Sequence, residues 1–202
     1  MNWIIRMRGL AALALMVIAF LGNESIASGQ LDLVGDGWHT WRAPAVEQAA
    51  DLCCFRWTGA GARKRTCDLD RSRGNYGAID GYSHYSAEVQ IYALMQLGIP
   101  KKITVFNPQC SVSTDTKIND HGLLDQNVSI SWLRQYIKPH SRISSDVLHA
   151  ISAHGGDSSL KILVAVVDSD NDNSLRAEAI FWLVQSDSDA AVEYIDRLLT
   201  GT

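Results

Sequence analysis

Residues 86–106, which read SAEVQIYALMQLGIPKKITVF, carry the clearest local structural signal in this chain. In the first ten of them, small and aliphatic side chains alternate with Glu, Gln and Tyr, which is the period of a half-buried strand. A Gly and a Pro then interrupt the pattern, and residues 103–106 are predicted to be the returning strand of a hairpin. Cys110 follows directly, so a disulfide there would fix the end of the hairpin.

The segments around this hairpin favour further β-structure. Residues 35–41 (GDGWHTW) are typical of a turn that leads into a strand, and residues 54–57 (CFRW) consist of β-preferring types. A short helix is predicted over 44–50. Residues 71–85 show no period, and residues 111–127 are rich in turn-forming types, so both are predicted to be loops.

The first 27 residues have the layout of a secretory signal peptide. Arg6 and Arg8 precede an apolar run of only twelve residues, 10–21, against about 20 for a membrane span. Small residues at 25 and 27 suit cleavage after Ala27. We therefore expect a periplasmic or secreted protein that does not interact with the membrane once residues 1–27 are removed.

Export changes the interpretation of the four cysteines, Cys53, Cys54, Cys67 and Cys110. An even number in an exported chain predicts two disulfides. A bond between the adjacent pair would strain the peptide, so Cys53 and Cys54 should pair with Cys67 and Cys110, in either of the two possible arrangements. A four-thiolate zinc site is the alternative, but structural zinc sites usually place two ligands two to four residues apart. The spacings of 1, 13 and 43 residues in this chain disfavour it.

From residue 129 onward the apolar period becomes helical. A short helix begins near Ser129, taken as its cap, and ends before Pro139. Residues 144–167 then match residues 176–199 at an offset of 32 in their apolar positions, which indicates two helix pairs. The four helices are predicted at about 145–154, 158–168, 173–185 and 189–200. The organisation expected is an α+β fold in which a small, disulfide-tied, β-rich module at 28–143 precedes an α-helical module at 144–202.

The stretches DNSLRAEAIFWL (172–183) and DSSLKIL (157–163) resemble the first and second helices of bacterial HEAT-like repeats. The chain is also similar to exported bacterial proteins with such repeats, in which W-H-T-W and C-C-F-x-W stretches precede the helices, as residues 38–41 and 53–57 do here. The resemblance implies an α-solenoid end at 144–202 that binds or scaffolds proteins, and it implies no chemistry. Two repeats are fewer than the three that usually make a stable stack.

Three aspartates between the two predicted helix pairs form a D-x-D-x-D pattern: Asp168, Asp170 and Asp172. Alternate oxygens at this spacing can coordinate Ca²⁺, but the glycine and the glutamate of an EF-hand loop are missing. The favoured interpretation is an acidic turn that caps the helix beginning near Ser174. No other cofactor is predicted.

Charge is distributed unevenly along a chain of 202 residues with a net charge of −4. Residues 144–202 hold three basic and ten acidic residues, whereas residues 28–143 hold 13 basic and 11 acidic. This charge distribution argues against a nucleic-acid partner, because the sequence contains no basic stripe of sufficient charge.

The sequence contains no catalytic motif with a defined mechanism. The function predicted is therefore a non-enzymatic protein-protein interaction, with a concave helical face or exposed aromatics such as Trp38, Trp41 and Tyr82 as the binding surface. The alternative is a hydrolase or metal-dependent enzyme whose site lies around Asp80 and His84 in the N-terminal module.

Overall fold

The computed structural model describes residues 30–45, 52–71, 75–77, 86–154, 156–169, 172–186 and 188–201. The predicted signal peptide, most of the helix predicted at 44–50, and Asp80, Tyr82, His84 and Asp170 lie outside these ranges. The strands are β1 Gly37–Pro44, β2 Cys53–Thr58, β3 Gly61–Lys64, β4 Cys67–Asp68, β5 Asn75–Gly77, β6 Glu88–Gln96, β7 Ile99–Phe106, β8 Val112–Ser113 and β9 Ile118–Leu123. The helices are α1 Gln126–Arg134, α2 Arg142–Ser152, α3 Asp157–Asp168, α4 Asn173–Gln185 and α5 Asp189–Thr200.

A four-stranded sheet in the order β7-β6-β1-β9 organises the fold. The predicted hairpin is confirmed as β6 and β7, which pair antiparallel and are joined at Leu97 and Gly98. Both residues have positive φ, 53° and 73°, which is the backbone that a two-residue hairpin turn requires. Strand β9 runs parallel to β1 and was not predicted, because its sequence INDHGL lacks apolar alternation.

Both faces of this sheet are covered. One face packs against α1 and α2, and its core contains Trp41, Ile91 and Val105. The other face packs against the disulfide-bonded loops, and its core contains Trp38 and Tyr92. The mixed α+β class, with disulfides in an N-terminal β-rich region followed by helices, agrees with the sequence analysis.

Two disulfides anchor β2, one to the segment that follows β7 and one to β4. Cys53 bonds Cys110 and Cys54 bonds Cys67, which resolves the pairing that the sequence left open. Adjacent residues of a strand point to opposite faces, so the two bonds leave β2 in opposite directions. The strand is thereby fixed to the segment after β7 on one side and to β4 on the other.

The helical end is not a HEAT-like solenoid, and that prediction is wrong. In a solenoid, equivalent helices of successive repeats stack on one another. Here α2 packs on the sheet next to α1, whereas α4, its counterpart at the 32-residue offset, packs on α2, α3 and α5. Within the described residues, α3 and α5 do not form the extensive contact that stacked repeats require. The apolar period arose because each helix buries one face, not because the units are equivalent.

One helix boundary also differs from the sequence analysis. The cap of α1 is Asp125, whose side chain accepts a hydrogen bond from the Asn127 N–H, while Ser129 lies inside the helix.

The core on the helical face of the sheet includes Val147 and Ile151 of α2. The module boundary at residue 143 stays a prediction, although this core extends across it. Within the described part of the chain, no helix is long and apolar enough to span a membrane.

We expect the two disulfides to contribute unequally to stability. They close loops with sequence separations of 57 and 13, and loop-closure entropy then predicts about 4 and about 3 kcal/mol. Urea unfolding of the Cys53→Ser/Cys110→Ser and Cys54→Ser/Cys67→Ser proteins should show the larger loss in the first. Peptide mapping under non-reducing conditions provides the control for pairing, and a larger loss in the second protein would contradict the loop-entropy explanation.

Candidate interaction surfaces

The two tryptophans expected to be exposed are buried. Trp38 is 1 % exposed and Trp41 is 0 % exposed, so the prediction that they form an exposed binding surface is wrong. Both lie on β1, and strand alternation directs their side chains to opposite faces of the sheet. Sequence alone suggested one solvated face, whereas the structure covers both.

Each buried indole has a hydrogen-bond acceptor. The Trp38 Nε1–H donates to Asp70 Oδ1 at 2.8 Å, and Asp70 also accepts from the Asp115 backbone N–H. These bonds, the backbone one first, lower the pKa of Asp70. The Lys102 amine lies 5.8 Å from the Trp38 ring centroid. The cluster ties β7 and the loops to the sheet, which is a structural role.

A serine and a histidine meet in the core at the distance of a catalytic pair. Ser129 Oγ lies 2.8 Å from His154 Nε2, and it accepts from the Trp41 indole N–H at 2.7 Å. His154 Nδ1 lies 2.6 Å from the Ala150 carbonyl oxygen, which can only accept. The imidazole therefore carries its proton on Nδ1, and Nε2 accepts from the serine hydroxyl.

This pair is structural. Ser129 and His154 are both 0 % exposed, so no substrate reaches the hydroxyl. The second nitrogen of His154 is held by a backbone carbonyl rather than by the carboxylate of a catalytic triad. The chain Trp41–Ser129–His154 instead links β1, α1 and the end of α2. Sequence reasoning missed it because its members are up to 113 positions apart.

We expect Ser129→Ala to destabilise the protein by about 2–5 kcal/mol, because the substitution leaves the Trp41 N–H and the His154 Nε2 buried without partners. Urea unfolding measures the loss. Ser131→Ala is the matched control, since Ser131 is exposed on the same helix and its loss should stay within about 0.5 kcal/mol. Equal stability of the two variants would contradict the network.

Two buried histidines are neutral in the folded protein. Burial lowers the pKa of His149 and of His154 to about 4, from an ordinary value of 6.5. The His149 ring stacks on Trp182 with 4.4 Å between centroids, at the contact of α2 with α4. Protonating either ring would place a charge in the core. Protonation of either histidine therefore destabilises the folded state.

The free energy of unfolding should therefore fall as the pH is lowered from about 6.5 to about 4. In this window the unfolded chain binds protons that the folded chain does not, at about 3 kcal/mol for each fully shifted histidine. In His149→Phe, which keeps an aromatic ring against Trp182, the slope should be smaller than that of the wild type by the contribution of one shifted histidine. Urea unfolding at several pH values tests this, and parallel curves for the two proteins would refute it.

In the acidic turn between α3 and α4, the two described aspartates both accept hydrogen bonds from other residues of the chain. Asp172 Oδ1 accepts from the Ser174 and Leu175 N–H groups, and Oδ2 accepts from the His140 N–H at 2.7 Å. Asp168 accepts from the Tyr194 hydroxyl. Asp172 thus caps α4. Asp170 lies outside the described residues, so the calcium site stays a prediction.

A histidine pair connects the inner strand β1 to the edge strand β9. His39 Nδ1 and His121 Nε2 are 3.0 Å apart, and His39 Nε2 donates to the Gly35 carbonyl. His39 Nδ1 must then accept from His121. Burial, followed by the proximity of His39, lowers the pKa of His121. Within the described ranges, no cluster of three or more His, Cys, Asp or Glu side chains has metal-site geometry.

The hairpin formed by β2 and β3, called the basic hairpin below, is followed by Arg65, and Arg56, Arg63 and Arg65 are all exposed. Arg56 and Arg63 lie directly opposite each other, and Arg65 follows on the same side. No acidic side chain in the described part of the chain forms an ion pair with these three residues. Trp57, next to Arg56, is 70 % exposed. The sequence analysis predicted β-structure at 54–57, which includes Arg56, but not the pairing that places Arg63 opposite it.

The last two helices, α4 and α5, are called the terminal helix pair below and expose apolar side chains. Within the described residues, five of the ten large exposed apolar side chains lie on these two helices: Phe181, Val184, Val192, Leu198 and Leu199. On α5, Val192 and Leu199 are seven residues apart and so share one side of the helix. Asp189 and Asp196 lie three residues before each of them, which places acidic groups beside the apolar ones.

Comparison with known proteins gives no match: no family model, no curated protein and no solved structure is significantly similar to this chain. The absence of a matching family model removes the support for the HEAT-repeat resemblance, in agreement with the packing of the helices.

Proposed function

We propose that this protein is an exported, non-enzymatic protein-binding protein, and that its partner docks on the terminal helix pair. The observation that carries the proposal is the concentration of exposed apolar side chains on α4 and α5. Single exposed apolar residues are common on soluble proteins, whereas a concentration of them marks surfaces that bind proteins.

The energetics of docking fit such a surface. Burying an exposed Val, Leu or Phe side chain contributes about 1.5–3 kcal/mol. Four or five such side chains can therefore offset the loss of rigid-body freedom, which costs about 4–15 kcal/mol.

The charges of α5 indicate the chemistry of the partner. Asp189 and Asp196 border Val192 and Leu199, and neither carboxylate forms an ion pair with a described residue. A partner that carries cationic groups next to apolar ones would satisfy both features, since complementary charge directs association and apolar contact holds it.

Two observations support export. The N-terminal layout is that of a signal peptide, and the two disulfides belong to chains that fold in an oxidising compartment. Disulfides and the composition are consistent with a periplasmic or extracellular location.

Site-specific photo-crosslinking in exporting cells tests the proposal. A photoreactive amino acid at Val192 or Leu199 should give a crosslinked product, because these side chains would face the partner. The same amino acid at Val34, which is 76 % exposed but lies before β1, is the matched control and should give none. Adding Asp189→Arg and Asp196→Arg should abolish the product at Val192. Equal crosslinking from Val34, or a product unaffected by the charge reversals, would refute the proposal.

A further inference from the structure

The basic hairpin extends beyond the packed part of the protein. Strand β5 pairs with β2 only at Cys53, Cys54 and Phe55, so the rest of β2 has β3 as its single neighbour among the described strands. None of the three apolar cores contains a described residue of the range 55–66. The outer part of this hairpin is therefore covered on neither face by an apolar core of the described chain.

One face of the hairpin is cationic. Arg56 and Arg63 are directly opposite each other, so their side chains point to the same side. Arg65 lies on that side as well, because its N–H donates to the carbonyl of Cys54 and so continues the register. All three arginines are exposed, and none forms an ion pair with a described acidic residue. This side of the hairpin is called the arginine face below.

The opposite side of the hairpin, called the aromatic face below, follows from the alternation of side chains along β2. Phe55 and Trp57 lie there, and their rings meet edge to face with centroids 5.9 Å apart. Trp57 is 70 % exposed, and Ala62 lies directly opposite it in β3. Lys64, opposite Phe55, lies farther from the turn and has an interaction partner of its own.

The arginine face is unfavourable for folding by itself. The Cβ atoms of a directly opposed pair in an antiparallel ladder are about 5 Å apart, and like charges there destabilise the pairing. Anionic groups bound at this face would remove that cost for Arg56 and Arg63 and would also engage Arg65. The guanidinium group suits phosphate in particular, because its planar set of donors matches two phosphate oxygens.

A single bound phosphate would explain the arginines but not the exposed tryptophan. Trp side chains are enriched at the boundary between a lipid membrane and water, since the ring is apolar and its N–H is polar. Amphipathic helices with Lys or Arg on one side and Trp or Phe on the other lie in the plane of this boundary. The basic hairpin has the same distribution of residues on its two faces.

We propose that the basic hairpin holds this protein on the surface of an anionic phospholipid membrane. Phe55 and Trp57 enter the boundary between head groups and acyl chains, and the arginine side chains reach sideways to the phosphates around the hairpin. Long cationic side chains can do so because their apolar stems lie along apolar surroundings while the charged group stays with polar ones. This membrane contact is peripheral, and it goes beyond the proposed protein-binding function.

The distribution of charge over the rest of the molecule suits this orientation. The hairpin continues from Cys54, which packs together with Trp38 on one face of the central sheet. The helices cover the other face, and residues 144–202 hold ten acidic residues against three basic ones. An anionic surface attracts the hairpin and repels this acidic end. The terminal helix pair is thereby directed away from the membrane and stays accessible to a partner.

From the sequence we expect no membrane contact once residues 1–27 are removed, because the rest of the chain has no long apolar run. A hairpin with one cationic and one aromatic face contains no such run, since the two residue types alternate along the strand. The aromatic face therefore becomes apparent only when the pairing of β2 with β3 is known.

Vesicle flotation of the oxidised chain without residues 1–27 tests the proposal. The protein should bind vesicles of phosphatidylcholine and phosphatidylglycerol in a two-to-one ratio, and it should not bind vesicles of phosphatidylcholine alone. Binding should weaken as the salt concentration rises, because exposed charges provide the attraction. Failure to bind the anionic vesicles at low salt, or equal binding to both kinds of vesicle, overturns the proposal.

Neutralising the opposed arginines tests the arginine face. Arg56→Gln/Arg63→Gln should lower the partition coefficient about thirtyfold, since each cation near an anionic membrane contributes about 1 kcal/mol. Lys101→Gln/Lys117→Gln removes the same net charge at exposed sites elsewhere and should bind as the wild type does. Thermal unfolding verifies that both variants are folded, and removal of the opposed charges should not lower the melting temperature of the first.

Trp57→Ala tests the aromatic face. It should lower the partition coefficient about tenfold, because it removes apolar surface that the membrane would cover. Val34→Ala is the matched control, since Val34 is 76 % exposed outside the hairpin, and its binding should not change. Lipids brominated on their acyl chains should quench the fluorescence of the wild type and quench that of Trp57→Ala markedly less. Trp38 and Trp41 are buried and do not reach the lipid.

Other occupants of the hairpin would give different results. A protein that binds inorganic phosphate but not the anionic vesicles has a small-anion site, which overturns the membrane proposal. Vesicle binding that is unchanged in the arginine variant and in Trp57→Ala arises from another surface and overturns it as well. Crosslinking from Val192 is independent of these measurements, so failure to bind vesicles leaves the proposed function intact, and failure to crosslink leaves the membrane contact intact.

Discussion

The structure depends on the burial of both faces of one four-stranded sheet. Water does not reach the polar groups of a strand that is covered on both sides. Each backbone and side-chain polar group of such a strand therefore needs a hydrogen-bond partner within the protein. Strand β1 carries Trp38 toward one side and Trp41 toward the other, and each indole N–H finds an acceptor there. The loops on one side and the helices on the other are positioned by this requirement.

The two coverings are held by different means. The helical side is a conventional apolar core, supplemented by the Ser129–His154 link. The loop side has less regular structure, and the disulfides replace part of the missing core, as is usual in small exported modules. Because Cys53 and Cys54 are adjacent, both bonds are anchored on one strand. The basic hairpin extends directly from this anchor, which gives its arginines a defined position.

The surfaces left exposed follow from the same arrangement. The terminal helix pair is the layer farthest from the sheet, and nothing in the described chain covers the outer side of α5. Its apolar residues were visible in the sequence as part of a helical period, but that period also describes a helix buried between two repeats. The HEAT-like prediction failed at this point. Apolar spacing shows that a helix has an apolar side and does not show what packs against it.

The sequence by itself determined the local structure wherever one period dominated. The β6–β7 hairpin, the limits of α4 and α5, and the presence of two disulfides could all be predicted, because alternation, helical spacing and cysteine number are local or compositional properties. Burial of Trp38 and Trp41, the cysteine pairing, strand β9, the opposed Arg56 and Arg63, and the Ser129–His154 contact were decided by the tertiary structure. Each of these depends on which distant segments lie together, and no local period carries that information.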